Sequence, residues 1–343
     1  PLYSSAASDV YKRQLLIILL ISIALTACSQ TSDQSNQNSK DTVSIKNTYE
    51  FKDKNNTHSR GVKKSETVKV PKNPERVAVL DYGALDIMQQ MGLQSHVKAV
   101  AKGQGNAFLP HALNEFKSDQ YINLGNPGRP KYDNLAKSKP DLILASFRQA
   151  HTKTLDEMKK AAPDAQILFV SPNNDSYISS IETTTQHLGK IFDKKDKANT
   201  LNRELKEKVN ETKRMINKDK VLLLVVDDKG MKAFGQTGRF GGFLNKDLGI
   251  QHADNNMKAN SAGNQISYEY LNKINPDKLF VINRTKDGND QHLPKELNNK
   301  VIKNIKAIKN HNVYQFETNA WYFGEGGHQL TIDQLCLLYT SDA

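Results

Sequence analysis

Short runs of consecutive apolar residues punctuate a chain that is otherwise polar or helically patterned. Val77-Ala78-Val79-Leu80, Val97 to Ala101, the segment through Leu142, Ile167-Leu168-Phe169-Val170 and Val221 to Val226 are of this kind. Strands covered on both faces carry apolar side chains at every position, so these read as buried strands of parallel sheets. Asp81-Tyr82-Gly83 turns into a predicted helix from Ala84 to Met91, which Gly92 ends. Between Ser176 and Asn217 strand signal is almost absent, and Leu201, Leu205, Val209 and Met215 recur at near-helical spacing. A helix of that extent measures about 30 Å. That is enough to bridge two lobes, and one rigid connector predicts small opening motions. The expected fold class is α/β, two β/α lobes joined by a single long helix: an N-terminal lobe over 61–175, a helical linker over 176–218 and a C-terminal lobe over 219–335.

One unit occurs twice. Tyr132-Asp133-Asn134-Leu135 leads to Pro140-Asp141-Leu142-Ile143-Leu144 and then Arg148. Tyr268-Glu269-Tyr270-Leu271 leads, at the same spacing, to Pro276-Asp277-Lys278-Leu279-Phe280-Val281 and then Arg284. Each reads as a short helix, a Pro-Asp turn and a buried strand, with an arginine where the strand runs out. Ligands of open α/β sheets lie beyond the carboxyl ends of strands, so two facing lobes would point both guanidiniums into one cleft. A third arginine, Arg239, lies in the glycine-rich stretch Ala233 to Gly242 just before a helix. Glycines admit close backbone approach, and a helix N-terminus favours anions. No Gly-Lys-Ser/Thr follows, and the spacing is not that of a dinucleotide fingerprint. The chemistry in view is anion binding, because arginine stays charged and pairs well with anionic oxygens.

Composition narrows the class. The chain has 343 residues, 37% hydrophobic and 25% charged, with a net charge of +11 spread thinly over helices and loops. No basic tract is interleaved with aromatics, so a nucleic-acid partner is not expected. Leu15 to Leu25 is apolar apart from Ser22 and is too short to span a bilayer, but it suits a signal-peptide core. It runs into Leu25-Thr26-Ala27-Cys28, which resembles the lipobox of bacterial lipoproteins, in which the cysteine thiol carries diacylglycerol. Residues 15–28 are therefore expected to be a lipoprotein signal, with Cys28 lipidated and a stable membrane anchor as the result. Polar residues dominate 29–60, the pattern of a flexible tether. Residues 1–14 and 336–343 look non-native and are left out of the fold expectation. With Cys28 lipidated and Cys336 set aside, no cysteine remains for a disulfide.

Pro71-Lys72-Asn73-Pro74, Val79-Leu80-Asp81-Tyr82-Gly83-Ala84-Leu85-Asp86, Gly238-Arg239-Phe240-Gly241-Gly242 and Trp321-Tyr322-Phe323 occur in that order. Over roughly residues 64 to 335 the chain resembles the siderophore-binding lipoproteins of iron-uptake ABC transporters, in particular the ferric-catecholate binders, which are bilobal class III substrate-binding proteins. The resemblance implies a monomer outside the cytoplasm, anchored by lipid to the membrane of a Gram-positive cell. It implies a ferric siderophore as ligand with no intrinsic cofactor, an ABC permease as partner, and delivery of iron to that permease. It also implies a ligand site of Arg148, Arg239, Arg284 and Tyr322, with Tyr322 as a possible direct Fe(III) ligand and Trp321 beside it. A phenolate oxygen is a hard donor suited to Fe(III). The run into Gly324-Glu325-Gly326-Gly327 suggests an exposed loop. One departure stands out: Ala262 occupies the position where these binders carry a second iron ligand, a histidine, and His328 is the nearest substitute candidate. The alternative on the same architecture is a binder of haem, with Tyr322 as axial ligand. A zinc or manganese site needs three or four His and carboxylate ligands, and the 9 histidines are scattered. No Ser-His-Asp order, acid pair or metal motif converges on the cleft, so an enzyme is not expected.

Overall fold

The computed structural model describes residues 41–52, 61–286 and 292–340. Cys28, the signal segment 15–28 and residues 1–14 lie outside the described residues, as do 29–40 and 53–60 of the expected tether.

Order begins earlier than the tether expectation allows. Strands β1 (Thr42–Phe51) and β2 (Val62–Pro71) form an antiparallel hairpin, registered from Thr42 opposite Pro71 to Phe51 opposite Val62. The polar composition of this segment conceals a period-two pattern in which Val43, Ile45 and Asn47 turn inward and are buried. Asn47 docks the hairpin: its Nδ2 donates to the Phe169 carbonyl at 2.7 Å, and the Phe169 N–H donates to its Oδ1 at 3.0 Å. The side-chain amide thus satisfies both backbone groups of Phe169, and the Tyr49 ring lies 4.1 Å from that of Phe169.

The first lobe is built on β3 (Val77–Val79), β4 (Val97–Val100), β5 (Ile122–Asn123), a small hairpin β6 (Gly125–Asn126) and β7 (Arg129–Pro130), then β8 (Leu142–Ala145) and β9 (Gln166–Phe169). The main sheet has five strands in the order β5-β4-β3-β8-β9, all parallel. Helices α1 (Tyr82–Gln90), α2 (Tyr132–Ser138) and α3 (Thr152–Ala161) connect them. Both faces are covered: Val77 and Val79 enter one apolar cluster while Ala78 and Leu80 enter another. That is why these strands read as continuous apolar runs.

The expected single connector over 176–218 is two helices, α4 (Tyr177–Ile191) and α5 (Lys195–Met215). The 21 residues of α5 span about 30 Å, and Ala198, Leu201, Leu205 and Val209 form its buried stripe. The second lobe contains β10 (Lys220–Asp227), β11 (Gly230–Ala233), β12 (Gln251–His252), β13 (Asn264–Ile266), α6 (Tyr268–Ile274), β14 (Lys278–Arg284), α7 (Lys306–Lys309) and β15 (Val313–Phe316). Its sheet runs β13-β11-β10-β14-β15, with β12 also paired to β10. Two further helices, α8 (Thr318–Phe323) and α9 (Gln329–Thr340), close the described chain. Residues 336–340, set aside as non-native in the sequence expectation, continue α9, and Leu338 within them is buried.

The duplicated unit is structural. Helices α2 and α6 both end on a left-handed residue, Lys139 at φ 42° and Asn275 at φ 47°. Each following aspartate then registers its strand against the first strand of its lobe. Asp141 N–H donates to Arg76 O at 2.8 Å, and Asp277 N–H donates to Lys220 O at 2.9 Å.

Candidate ligand-binding site

The paired units deliver their arginines to one place. Arg284 is the last residue of β14. Arg148 follows β8 in a short 3₁₀ turn, whose Ser146 hydroxyl accepts from the Arg148 N–H at 3.1 Å. That turn is tied to α1: Phe147 N–H donates to Ser171 Oγ at 2.9 Å, and Ser171 Oγ donates to Asp81 at 2.7 Å. Asp81 also caps α1, accepting from Ala84 N–H at 2.9 Å. Burial pushes its carboxyl up to about 6, against the pull of Ser171, Ala84 and Arg148. Arg239 sits between Gly238 at φ 78° and Phe240 at φ 60°. A left-handed phenylalanine costs about 1–2 kcal/mol, strain of the kind that gathers at functional positions.

The three guanidiniums close around α8. Arg148 Nη2 donates to the Tyr322 carbonyl at 3.0 Å, and Arg239 Nη2 donates to the same oxygen at 2.6 Å. The Tyr322 ring lies 4.2 Å from the Arg239 guanidinium and 3.8 Å from that of Arg284, both within cation–π range. Phe323 is 5.4 Å from Arg148 and 5.6 Å from Arg284, and it packs on Phe108 at 5.1 Å. Arg239 Nε donates to Glu325 Oε1 at 2.6 Å in an ion pair with both side chains buried. Among the described residues Arg284 has no ion-pair partner within 4 Å.

Charge sets the protonation behaviour. Burial resists ionisation of the Tyr322 phenol, but Arg239 and Arg284, with help from Arg148, outweigh it and hold the phenol below its ordinary value. Burial likewise works against the Arg239 charge, and Glu325 and Tyr322 more than compensate. Arg148 is lowered, by burial first and by the like charge of Arg239, with Glu325 opposing. The arrangement can hold an anion between two lobes and offer it a phenolate oxygen.

The chain is similar to known proteins over most of its length. Residues 77–320 match the periplasmic binding protein family. The chain belongs to that family. Petrobactin-binding protein YclQ of Bacillus subtilis is 33% identical over 319 residues, 91% of this chain and 93% of the relative. The crystal structure of YclQ superposes with a TM-score of 0.74 at 29% identity, covering 88% of this chain and 99% of that one. The ferric-anguibactin-binding protein FatB of Vibrio anguillarum is 29% identical over 261 residues, 74% of this chain and 78% of the relative. An uncharacterized ABC transporter substrate-binding lipoprotein of Bacillus subtilis, YvrC, is 23% identical over 310 residues, 88% of each chain.

Within this periplasmic binding protein, two residues expected at the site are elsewhere. Trp321 is 2% exposed, with its ring stacked 4.2 Å from that of Phe316 at 8°, so it is core and not a ligand contact. Successive helical residues point about 100° apart, and α8 turns Trp321 inward while Tyr322 faces the arginines. His328 is also no candidate ligand. It is buried, and its Nε2 is hydrogen-bonded to the Leu201 carbonyl of α5. Burial lowers its pKa. Ala262 lies exposed in a turn where its N–H donates to Asn260 Oδ1 at 3.0 Å.

Two residues that the sequence reading missed belong here, Glu325 and Phe323. The loop Gly324 to Gly327 is buried rather than exposed. It lies so close to α1 that a Cβ on Gly83 would sit 2.4 Å from the Glu325 carbonyl. A lone acid among glycines was the only signal for Glu325.

Proposed function

We propose that this protein captures ferric catecholate-type siderophores outside the cytoplasm and passes them to the permease of an ABC importer. A lipid on Cys28 would hold it at the membrane. The observation that carries the proposal is the meeting of Arg148 from one lobe with Arg239, Arg284 and Tyr322 from the other. A ferric tris-catecholate is a trianion, and charge-assisted bonds from guanidiniums match its anionic oxygens. The names of YclQ and FatB, binders of petrobactin and of ferric anguibactin, support the same ligand class. The word lipoprotein in the name of YvrC supports the anchor. Ala262 in place of a histidine favours hexadentate ligands, which fill every iron position themselves.

Trp321 is the single tryptophan; although it is core, it lies in the same short helix as Tyr322, so a light-absorbing ferric catecholate bound at Tyr322 is expected to quench its emission through space. Titration with a ferric hexadentate tris-catecholate, ferric petrobactin, haem and free Fe(III) is expected to show tightest binding for the catecholates. Tight haem binding with no response to catecholates would overturn the proposal. Ala262→His is expected to improve tetradentate ligands selectively, and equal gains for both classes would contradict the denticity preference.

A further inference from the structure

We propose that Glu325 is a positioning residue of the cleft, fixing which edge of Arg239 faces the ligand; this rests on the ferric-catecholate function above. The three arginines are not equivalent. Of these three, and among the described residues, Arg239 alone is held by a carboxylate within 4 Å, through its Nε edge at 2.6 Å. The pair is buried, with side chains 7% and 10% exposed, so solvent neither screens nor replaces it. Glu325 itself has little freedom. Its carbonyl packs against Gly83 of α1, and the next residue, Gly326, donates its N–H to the Tyr177 hydroxyl at 2.9 Å. On the other side, the left-handed pair Gly238 and Phe240 fixes the backbone that carries Arg239. Guanidinium donors form a rigid planar fork. Holding the Nε edge therefore orients the Nη groups, one of which already reaches the Tyr322 carbonyl. A buried ion pair is weak evidence of stabilisation for its own sake. Its geometric effect is the stronger reason for its place beside Arg239.

The test is a double-mutant cycle on ligand affinity, read by Trp321 fluorescence with a ferric hexadentate tris-catecholate as probe. Glu325→Ala alone is expected to weaken binding roughly tenfold, since contacting pairs couple in such cycles. In an Arg239→Ala background the same change is expected to leave affinity unchanged or tighter, because an unpaired carboxylate then only repels the anion. A merely structural Glu325 moves thermal stability but gives equal affinity losses in both backgrounds. That additive result overturns the inference, as does unaltered or improved affinity for Glu325→Ala alone. If Glu325→Ala does not fold, Glu325→Gln keeps the shape and an acceptor. It is expected to weaken binding about threefold, an effect again lost without Arg239. A wild-type protein that binds no ferric catecholate would overturn the proposed function and the positioning together. Additive losses in a wild type that binds would overturn the positioning alone.

Discussion

Arg239 and Arg284 touch the same phenol ring, yet their surroundings separate binding from stability. Arg239 neutralises a buried carboxylate, so Arg239→Ala leaves Glu325 unpaired. That is expected to cost about 3–5 kcal/mol of stability, besides its effect on ligand. Arg284 is only half buried and has no ion-pair partner within 4 Å among the described residues. Arg284→Ala is expected to weaken binding by about 1.5–3 kcal/mol, with folding within about 0.5 kcal/mol of wild type. Urea unfolding beside ligand titration checks both, and equal stability losses would contradict the distinction. With a tetradentate ferric catecholate, which leaves iron positions open, Tyr322→Phe is expected to remove a phenolate-to-iron charge-transfer band while arginine-driven binding persists. Survival of that band in the variant spectrum would show that another donor reaches the iron. The arginines were legible because strand ends and a glycine-rich loop mark them. Trp321 was not, because adjacency to Tyr322 says nothing about which way a helix turns each side chain. Glu325 carries no periodic signal, and its burial depends on a close approach between lobes.

Elements show the same division. Parallel strands of both lobes were legible as apolar runs, and the duplicated α2-β8 and α6-β14 units share even their left-handed helix ends. Strand β1 was hidden, lying within the expected tether, because only Val43 and Ile45 are apolar among its buried positions, the third being Asn47. The docking of α9 was hidden because its cap comes from far away in sequence: Asp86 of α1 accepts from the Leu330 N–H at 3.1 Å. Burial pushes the Asp86 carboxyl up to about 7, against the pull of the Leu330 and Gln329 N–H groups. The ordinary value for aspartate is about 3.9. With the folded value raised, the native state holds the proton more tightly. Asp86 thus adds no penalty below about pH 4, and its penalty grows until about pH 7. Asp86→Asn cannot ionise, so its stability relative to wild type is expected to rise across that window. Urea denaturation of both proteins from pH 4 to pH 8 measures this, and a pH-independent difference would contradict it.

At the scale of the molecule, the two lobes are linked by α4 and α5 and again where residues 317–340 return to the first lobe. Asn319 Nδ2 donates to the Ala107 carbonyl at 2.8 Å, and Glu317 accepts from the His111 N–H at 2.7 Å. The bilobal plan was legible from the repeated strand order and the long polar helix between. The return path was not, since its partners are loops without a periodic pattern. Under the proposed function, one anionic iron complex sits between Arg148 of the first lobe and Arg239, Arg284 and Tyr322 of the second. Anomalous scattering at the iron edge, from crystals grown with a ferric hexadentate tris-catecholate, tests it most directly. A single iron peak enclosed by those three guanidiniums and facing the Tyr322 hydroxyl is the expected result. An iron peak elsewhere, or one whose ligand contacts only a single lobe, would contradict it.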